Sequence, residues 1–337
     1  MQVVFMNRLV KGSKSDEETA AQVWIGEEEG IWHLGWRDFQ INEEYLDSSW
    51  YEGVSWNELL CIYRHGLAIK LGEGYRPIIE GVFHEEEEQR YRGQSVQKLY
   101  CYSEFHPEEE LYNELCAWRR RRAVSERKAP YFIASNKLLR LISSFIPHTA
   151  DELMQLPGVG DHKAGDYGTD ILEITAKVTR NHIFPLNWVY SELNEEVYMT
   201  WVFKQKEQKY KLELDQYRMR RTLMMGISEG KNVEQLEQAC NSPRKEIIEA
   251  LEELEKEGYD TEHLIQIELQ EMAIVEQDAV WSAFEELGDM FLKPVLQKVY
   301  GEGKDSMARG NIDQLYERIR MIRIRFRRDQ EARRNVG

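Results

Sequence analysis

The chain has 337 residues and carries 44 Lys and Arg against 60 Asp and Glu, a formal net charge of −16. That length predicts two or three domains, and 42% hydrophobic residues predict that most of it folds. Cys61, Cys101, Cys116 and Cys240 form no CxxC pair, no apolar run approaches the roughly 20 residues of a membrane helix, and residues 1–10 lack the order of a signal peptide. These features argue against a disulfide framework, a structural zinc and a membrane span, and they suit a reducing cytoplasm.

The acidic total also argues against nucleic acid, until the charge is counted by region. Residues 1–110 hold 10 basic and 22 acidic residues, 111–182 hold 11 and 8, and 183–337 hold 23 and 30. The acid is therefore concentrated at the N-terminus, and local fields decide the docking of a polyanion.

Residues 1–100 read as an α+β domain. Runs 1–10, 20–25 and 30–39 are rich in β-formers and are separated by Gly or Glu clusters. Ser55-Trp56-Asn57-Glu58 has the form of a capping box that opens a helix through about Lys70, with Trp56, Leu60, Tyr63 and Leu67 on one face. Glutamate runs 85–88 and 108–110 read as solvated, and no chemistry is apparent here. Helical spacing dominates from Pro107, a first-turn candidate. Thr149-Ala150-Asp151-Glu152 is a second capping-box candidate. A linker helix over 181–215 carries Leu193, Val197 and Trp201 and extends towards Met225. Within 216–337, Asn232 and Ser242 read as N-caps. A last helix from near Asn311 puts Ile312, Leu315, Ile319, Ile322 and Phe326 on one stripe. Its outer side holds most of the eight arginines in 316–334, read as a solvated face or a phosphate-tracking surface.

Residues 111–175 are the informative part. They contain Leu115-Cys116-Ala117-Trp118 followed by four arginines, then Ala129-Pro130-Tyr131, Leu138-Leu139-Arg140-Leu141-Ile142, Pro147-His148-Thr149 and Leu156-Pro157-Gly158-Val159-Gly160, closing on Asp161-His162-Lys163 and Tyr167-Gly168. Gly158 and Gly160 form a tight turn. Such a turn either aims backbone N–H groups at a phosphate, with Lys163 adding charge, or only lets two helices pack closely. Successive helical residues turn by about 100°, so at most two of Arg119, Arg120, Arg121 and Arg122 reach one strand, and the others solvate or pair with Glu114 and Glu126. Tyr131 follows Pro130 in a loop, where its ring either stacks on bases or packs at the domain edge.

In order and spacing, this segment resembles the HRDC domain found at the C-termini of RecQ helicases and of RNase D. The resemblance covers about a fifth of the chain and implies a five-helix bundle over 107–180. The family's Pro-Pro-Tyr turn is associated with single-strand binding, and here Ala129 replaces its first proline. The nucleic-acid-binding residues implied are Arg119, Arg122, Tyr131, Lys137, Arg140, Gly158, Gly160 and Lys163. A weaker resemblance, from Thr222 to Ile265, is to the helix-turn-helix domain that follows HRDC in some bacterial RecQ-type proteins, with 268–289 as a long insert. In its recognition helix Ile247, Ile248, Leu251 and Leu254 face inward, leaving Glu249, Glu252 and Glu253 outward, a poor face for phosphates.

Engines are missing from the sequence. Gly301-Glu302-Gly303-Lys304-Asp305 lacks the first glycine and the hydroxyl of a phosphate loop. Asp16-Glu17-Glu18 sits in a polar loop, with too few residues upstream of the HRDC-like segment for a nuclease domain. The expectation is a mainly α protein with an α+β N-terminal domain, an HRDC-like five-helix bundle and a helical C-terminal region. Its expected role is non-catalytic and cytoplasmic, without cofactor, metal or membrane. The partners implied are single-stranded or junction DNA, or RNA, and a helicase. The alternative is a protein-interaction adaptor.

Overall fold

Period-two alternation in the first forty residues produces three strands, β1 (Gln2–Lys11), β2 (Thr19–Glu28) and β3 (Ile31–Phe39). The computed structural model describes residues 1–11, 19–39, 45–78, 87–301 and 312–336. It adds two strands that the sequence pattern hides, β4 (Tyr45–Gly53) and β5 (Arg76–Pro77), in an antiparallel sheet of order β4-β3-β2-β1-β5. β4 alternates poorly, and its register is held instead by pairing with β3, including the Arg37–Asp47 ion pair at 2.6 Å.

One face of the sheet carries Leu9, Val23, Ile25, Leu34 and Trp36 against α1 (Trp56–Gly72). Ser55 Oγ accepts the Glu58 N–H at 3.3 Å, as expected of the cap. The buried stripe is Leu59, Tyr63 and Leu67, one residue out of phase with the expected start, because i, i+4 and i+8 face the sheet. Trp56 remains exposed, with its ring 4.6 Å from Trp32.

The chain divides into two compact units, Met1–Lys211 and Leu212–Gly337. In the first, a helical core follows the sheet. It draws on α2 (Glu87–Phe105), α3 (Glu109–Glu126), α4 (Pro130–Ile133), α5 (Asn136–Phe145), α6 (Ala150–Met154) and α7 (Asp161–Thr175), then a 3-10 turn at Leu186–Trp188 and α8 (Val189–Glu192). Leu115, Leu139, Leu141, Ile142 and Phe145 fill its centre, while Leu99 and Val189 close it from either side. Pro107 lies outside α3, because the Glu108 carboxylate takes the capping position and accepts from the N–H groups of Glu110 and Leu111. Thr149 Oγ1 caps α6 through the Glu152 N–H at 3.3 Å. The Glu152 carboxylate goes elsewhere. It accepts from the His148 N–H at 2.7 Å and from both Arg180 Nη atoms at 2.7 and 2.6 Å, and this guanidinium holds it down at about 2.

A long helix, α9 (Glu195–Ser228), contains the boundary between the units. The second unit then builds one core from α10 (Val233–Cys240), α11 (Arg244–Lys256), α12 (Glu262–Leu269), α13 (Ile274–Leu287), α14 (Leu292–Tyr300) and α15 (Ile312–Val336). Asn232 and Gln235 close a full capping box at 2.9 and 3.0 Å. Ser242 is not a cap: Pro243 stands there, and the Ser242 hydroxyl lies 3.6 Å from Met219 Sδ. The expected insert is core material, since α13 supplies Val280, Ala283 and Phe284.

The arginines of α15 correct the sequence reading most sharply. Glu252 of α11, expected outward, is buried and takes a two-pronged grip from Arg323 at 2.8 and 2.7 Å. Arg320 binds Glu249 at 3.0 Å, Arg325 binds Glu262 at 2.7 Å, and Arg328 binds Glu255 and Glu262 at 2.5 and 2.9 Å. Arg327 binds Asp289. The presumed solvated faces of α11 and α15 therefore neutralise each other. Asp16-Glu17-Glu18, Asn311 and most of Gly301-Glu302-Gly303-Lys304-Asp305 lie outside the described residues.

Candidate nucleic-acid interface

The proline-led turn α4 builds the most distinctive surface feature. Pro130 fixes the first helical position, Ile133 turns into the core, and the two residues between them are left outside. Tyr131 is 66% exposed and Phe132 64%, with ring centroids 4.4 Å apart. Beside them Lys128, Phe132, His162, Lys163, Asp166 and Tyr167 line an open groove of about 450 Å³. His162 and Lys163 are at the start of α7, just after the glycine turn.

Gly158 has φ +88°, a left-handed angle that side chains rarely adopt. Gly160 is the N-cap of α7 in extended conformation, and no side chain caps that helix. An added Cβ would meet nothing within 4 Å at either glycine, so close helix packing does not explain them.

The remaining expected residues divide between two places. Arg119 donates to the Ala134 carbonyl and to Asn136 Oδ1, both at 2.8 Å, and so pins α3 to the start of α5. Lys137 sits over the Tyr100 ring at 5.7 Å and Arg140 over the Tyr112 ring at 5.0 Å. Arg122 lies on the groove side, over the Tyr167 ring at 5.6 Å, with Glu126 at 2.6 Å and Asp170 at 3.6 Å. Glu114, the other expected partner, pairs with Lys177 at 3.2 Å. Lys128 and Arg122 both hydrogen-bond Glu126 and keep its carboxyl down at about 2. Of the expected residues, Lys163 lines the groove itself, Tyr131 stands beside the lining ring of Phe132, Gly158 and Gly160 precede the lining residues His162 and Lys163, and Arg122 touches the lining ring of Tyr167, whereas Arg119, Lys137 and Arg140 serve the α2–α3–α5 packing. Phe132, Lys128 and His162 were missed. Their signal was local: a second ring directly after Pro130-Tyr131, and cations on both flanks of the turns.

Residues 108–175 match the HRDC domain family, from the cap of α3 to the end of α7. No curated protein and no solved structure matches the chain. Among the described residues no helix is long and apolar enough to cross a membrane, and no group of three or more His, Cys, Asp or Glu could hold a metal ion.

Proposed function

We propose that the protein binds single-stranded or junction nucleic acid weakly through its HRDC segment, and that it acts as a non-catalytic accessory protein in the cytoplasm alongside a RecQ-type helicase. The observation that carries this reading is the exposed Tyr131–Phe132 pair beside the groove of Lys128, His162 and Lys163. Exposed rings accept unpaired bases of any sequence, at about 1–3 kcal/mol per base. Glu126 and Asp166 offset part of the positive charge, which keeps binding weak and salt-sensitive.

Fluorescence anisotropy with single-stranded, duplex and forked oligonucleotides tests this. The joint change Tyr131→Ala and Phe132→Ala is expected to weaken single-strand binding by roughly five- to a hundredfold, following those stacking energies. No binding at low salt, or binding indifferent to both changes, would sink the reading. The alternative is a protein-interaction adaptor, supported by the exposed Leu287, Met290 and Phe291 around the α13–α14 turn. An adaptor would keep its partners in nuclease-treated pull-downs.

A further inference from the structure

The second unit holds a cavity of about 470 Å³ that the nucleic-acid reading does not use. It lies between the α11–α12 turn, with Tyr259 and Asp260, and the second half of α15, with Arg327, Arg328 and Glu331. Small-molecule sites ordinarily occupy about 300–1,000 Å³, so the size fits one. Ile324, 2% exposed, gives the cavity an apolar floor.

The turn fixes an aromatic wall. Gly258 has φ +91° and ends α11, and the Tyr259 N–H bonds back to the Leu254 carbonyl at 3.1 Å. Tyr259 is held at the cavity in this way while its side chain stays 41% exposed. Glu255 accepts from the Thr261 N–H at 3.2 Å and from its hydroxyl at 2.6 Å, which ties the far end of the turn back to α11.

The charges of the lining are unevenly satisfied. Every cation has a carboxylate: Arg327 has Asp289, Lys256 has Glu253 at 2.6 Å, and Arg328 has Glu255 and Glu262 at 2.5 and 2.9 Å. Two carboxylates lack a close cation. Asp260 has only Arg328, at 4.0 Å, and Glu331 forms no ion pair among the described residues. Both are exposed. An apolar floor, a ring and two carboxylates in excess favour an organic cation over an anion.

We propose that this cavity binds an alkylammonium group. Its methylene stem lies on Ile324 and the Tyr259 ring, and its ammonium lies between the carboxylates of Asp260 and Glu331. A free polyamine and the lysine side chain of a partner protein offer the same chemistry. The site belongs to Leu212–Gly337, outside the matched segment 108–175, and stands independently of the nucleic-acid reading.

Ligand-detected NMR on the full chain tests the site, with hexylammonium as the probe. Hexylammonium is expected to bind and hexanoate is not. Hexanol, with the same stem and no charge, should bind about tenfold more weakly, the worth of two exposed ion pairs. Asp260→Asn/Glu331→Gln should weaken hexylammonium by about the same tenfold and leave hexanol unchanged. Asparagine keeps an acceptor for the Glu262 N–H, now at 2.9 Å from Asp260 Oδ1, so the start of α12 is preserved. Glu331→Lys supplies an ammonium from the chain itself and should abolish binding of the probe. Spermidine binding more tightly than a capped lysine marks a free polyamine as the ligand, and the reverse order marks a partner's side chain. Equal affinity for hexylammonium and hexanol, or an unchanged affinity in the double variant, would overturn the site. So would the absence of hexylammonium binding at about 10 mM, a free energy too small for a built pocket.

Discussion

Gly66 lies in the middle of α1, where replacement by alanine ordinarily stabilises a helix by about 1 kcal/mol. Here the ring of Trp50 occupies that space: a Cβ would fall 2.6 Å from Trp50 Cζ3. Trp50 is itself stacked on Trp36, at 5.4 Å and 6°, and has little room to withdraw. Gly66→Ala is therefore expected to destabilise the protein by about 1–3 kcal/mol. Urea denaturation followed by tryptophan fluorescence measures this, and a raised midpoint would refute the steric account. At the same scale Tyr131 could be read from the sequence, because a ring after proline in a polar turn has few inward options. The second ring, Phe132, was equally visible, but that it stays outside while Ile133 turns inward depends on where the core lies. Arg119 was read as a binding residue because its charge was visible, whereas the carbonyl of Ala134, which it satisfies, was not.

At the scale of elements, helix ends were the most readable features. Ser55, Thr149 and Asn232 all accept the N–H three residues on. The exceptions have physical causes: a carboxylate at Glu108 displaces Pro107 from the first turn, and Pro243 displaces Ser242. α6 gives an expectation about pH. The Glu152 carboxyl sits at about 2 because of Arg180, below its ordinary value near 4.5. Its stabilisation is thus complete above pH 4.5 and disappears as pH falls through about 2. The ceiling is roughly 3 kcal/mol, from 1.36 kcal/mol per unit. Glu152→Gln should lower stability at neutral pH and flatten the loss between about pH 4.5 and 2, as read by denaturant titration at stepped pH. An unaltered acid limb would show that another carboxylate governs it.

Across the whole molecule, a net charge of −16 and an arginine-rich last helix both mislead when read as sums. Arg320, Arg323, Arg325, Arg327 and Arg328 of α15 pair with α11, α12 and Asp289, while the smaller cationic surplus of the HRDC-like segment includes Arg120, Arg121 and Arg127, which no carboxylate engages among the described residues. Pattern reading found the stripe of α15 but not its destination, because pairing between distant helices leaves no periodic trace. Two outcomes follow. Arg325→Gln/Arg328→Gln should leave oligonucleotide affinity within about twofold of wild type, since neither charge faces a ligand. A tenfold loss would return α15 to the binding surface. Arg323→Met leaves Glu252, only 8% exposed, with Arg320 at 3.5 Å as its remaining cation, and should cost up to about 3–5 kcal/mol, whereas Arg323→Met with Glu252→Leu should recover most of it. Thermal melts of the three proteins decide between a stranded charge and simple lost packing.

The core around Phe145 is wider than the matched segment 108–175. Leu99, Leu186 and Val189 belong to it, Ser144 Oγ reaches back to the Ser103 carbonyl at 3.2 Å, and Tyr102 stacks on Phe145 at 5.6 Å. On the far side of α2, Cys101 is covered by Tyr198 and Trp201. Dissection of the gene should respect this. A piece cut at 108 and 175 would present bare leucine and aromatic surface and would precipitate or self-associate, for reasons unrelated to nucleic acid. Phe203 in turn is covered by Arg76, so the whole first unit, Met1–Lys211, is the piece that carries this covering.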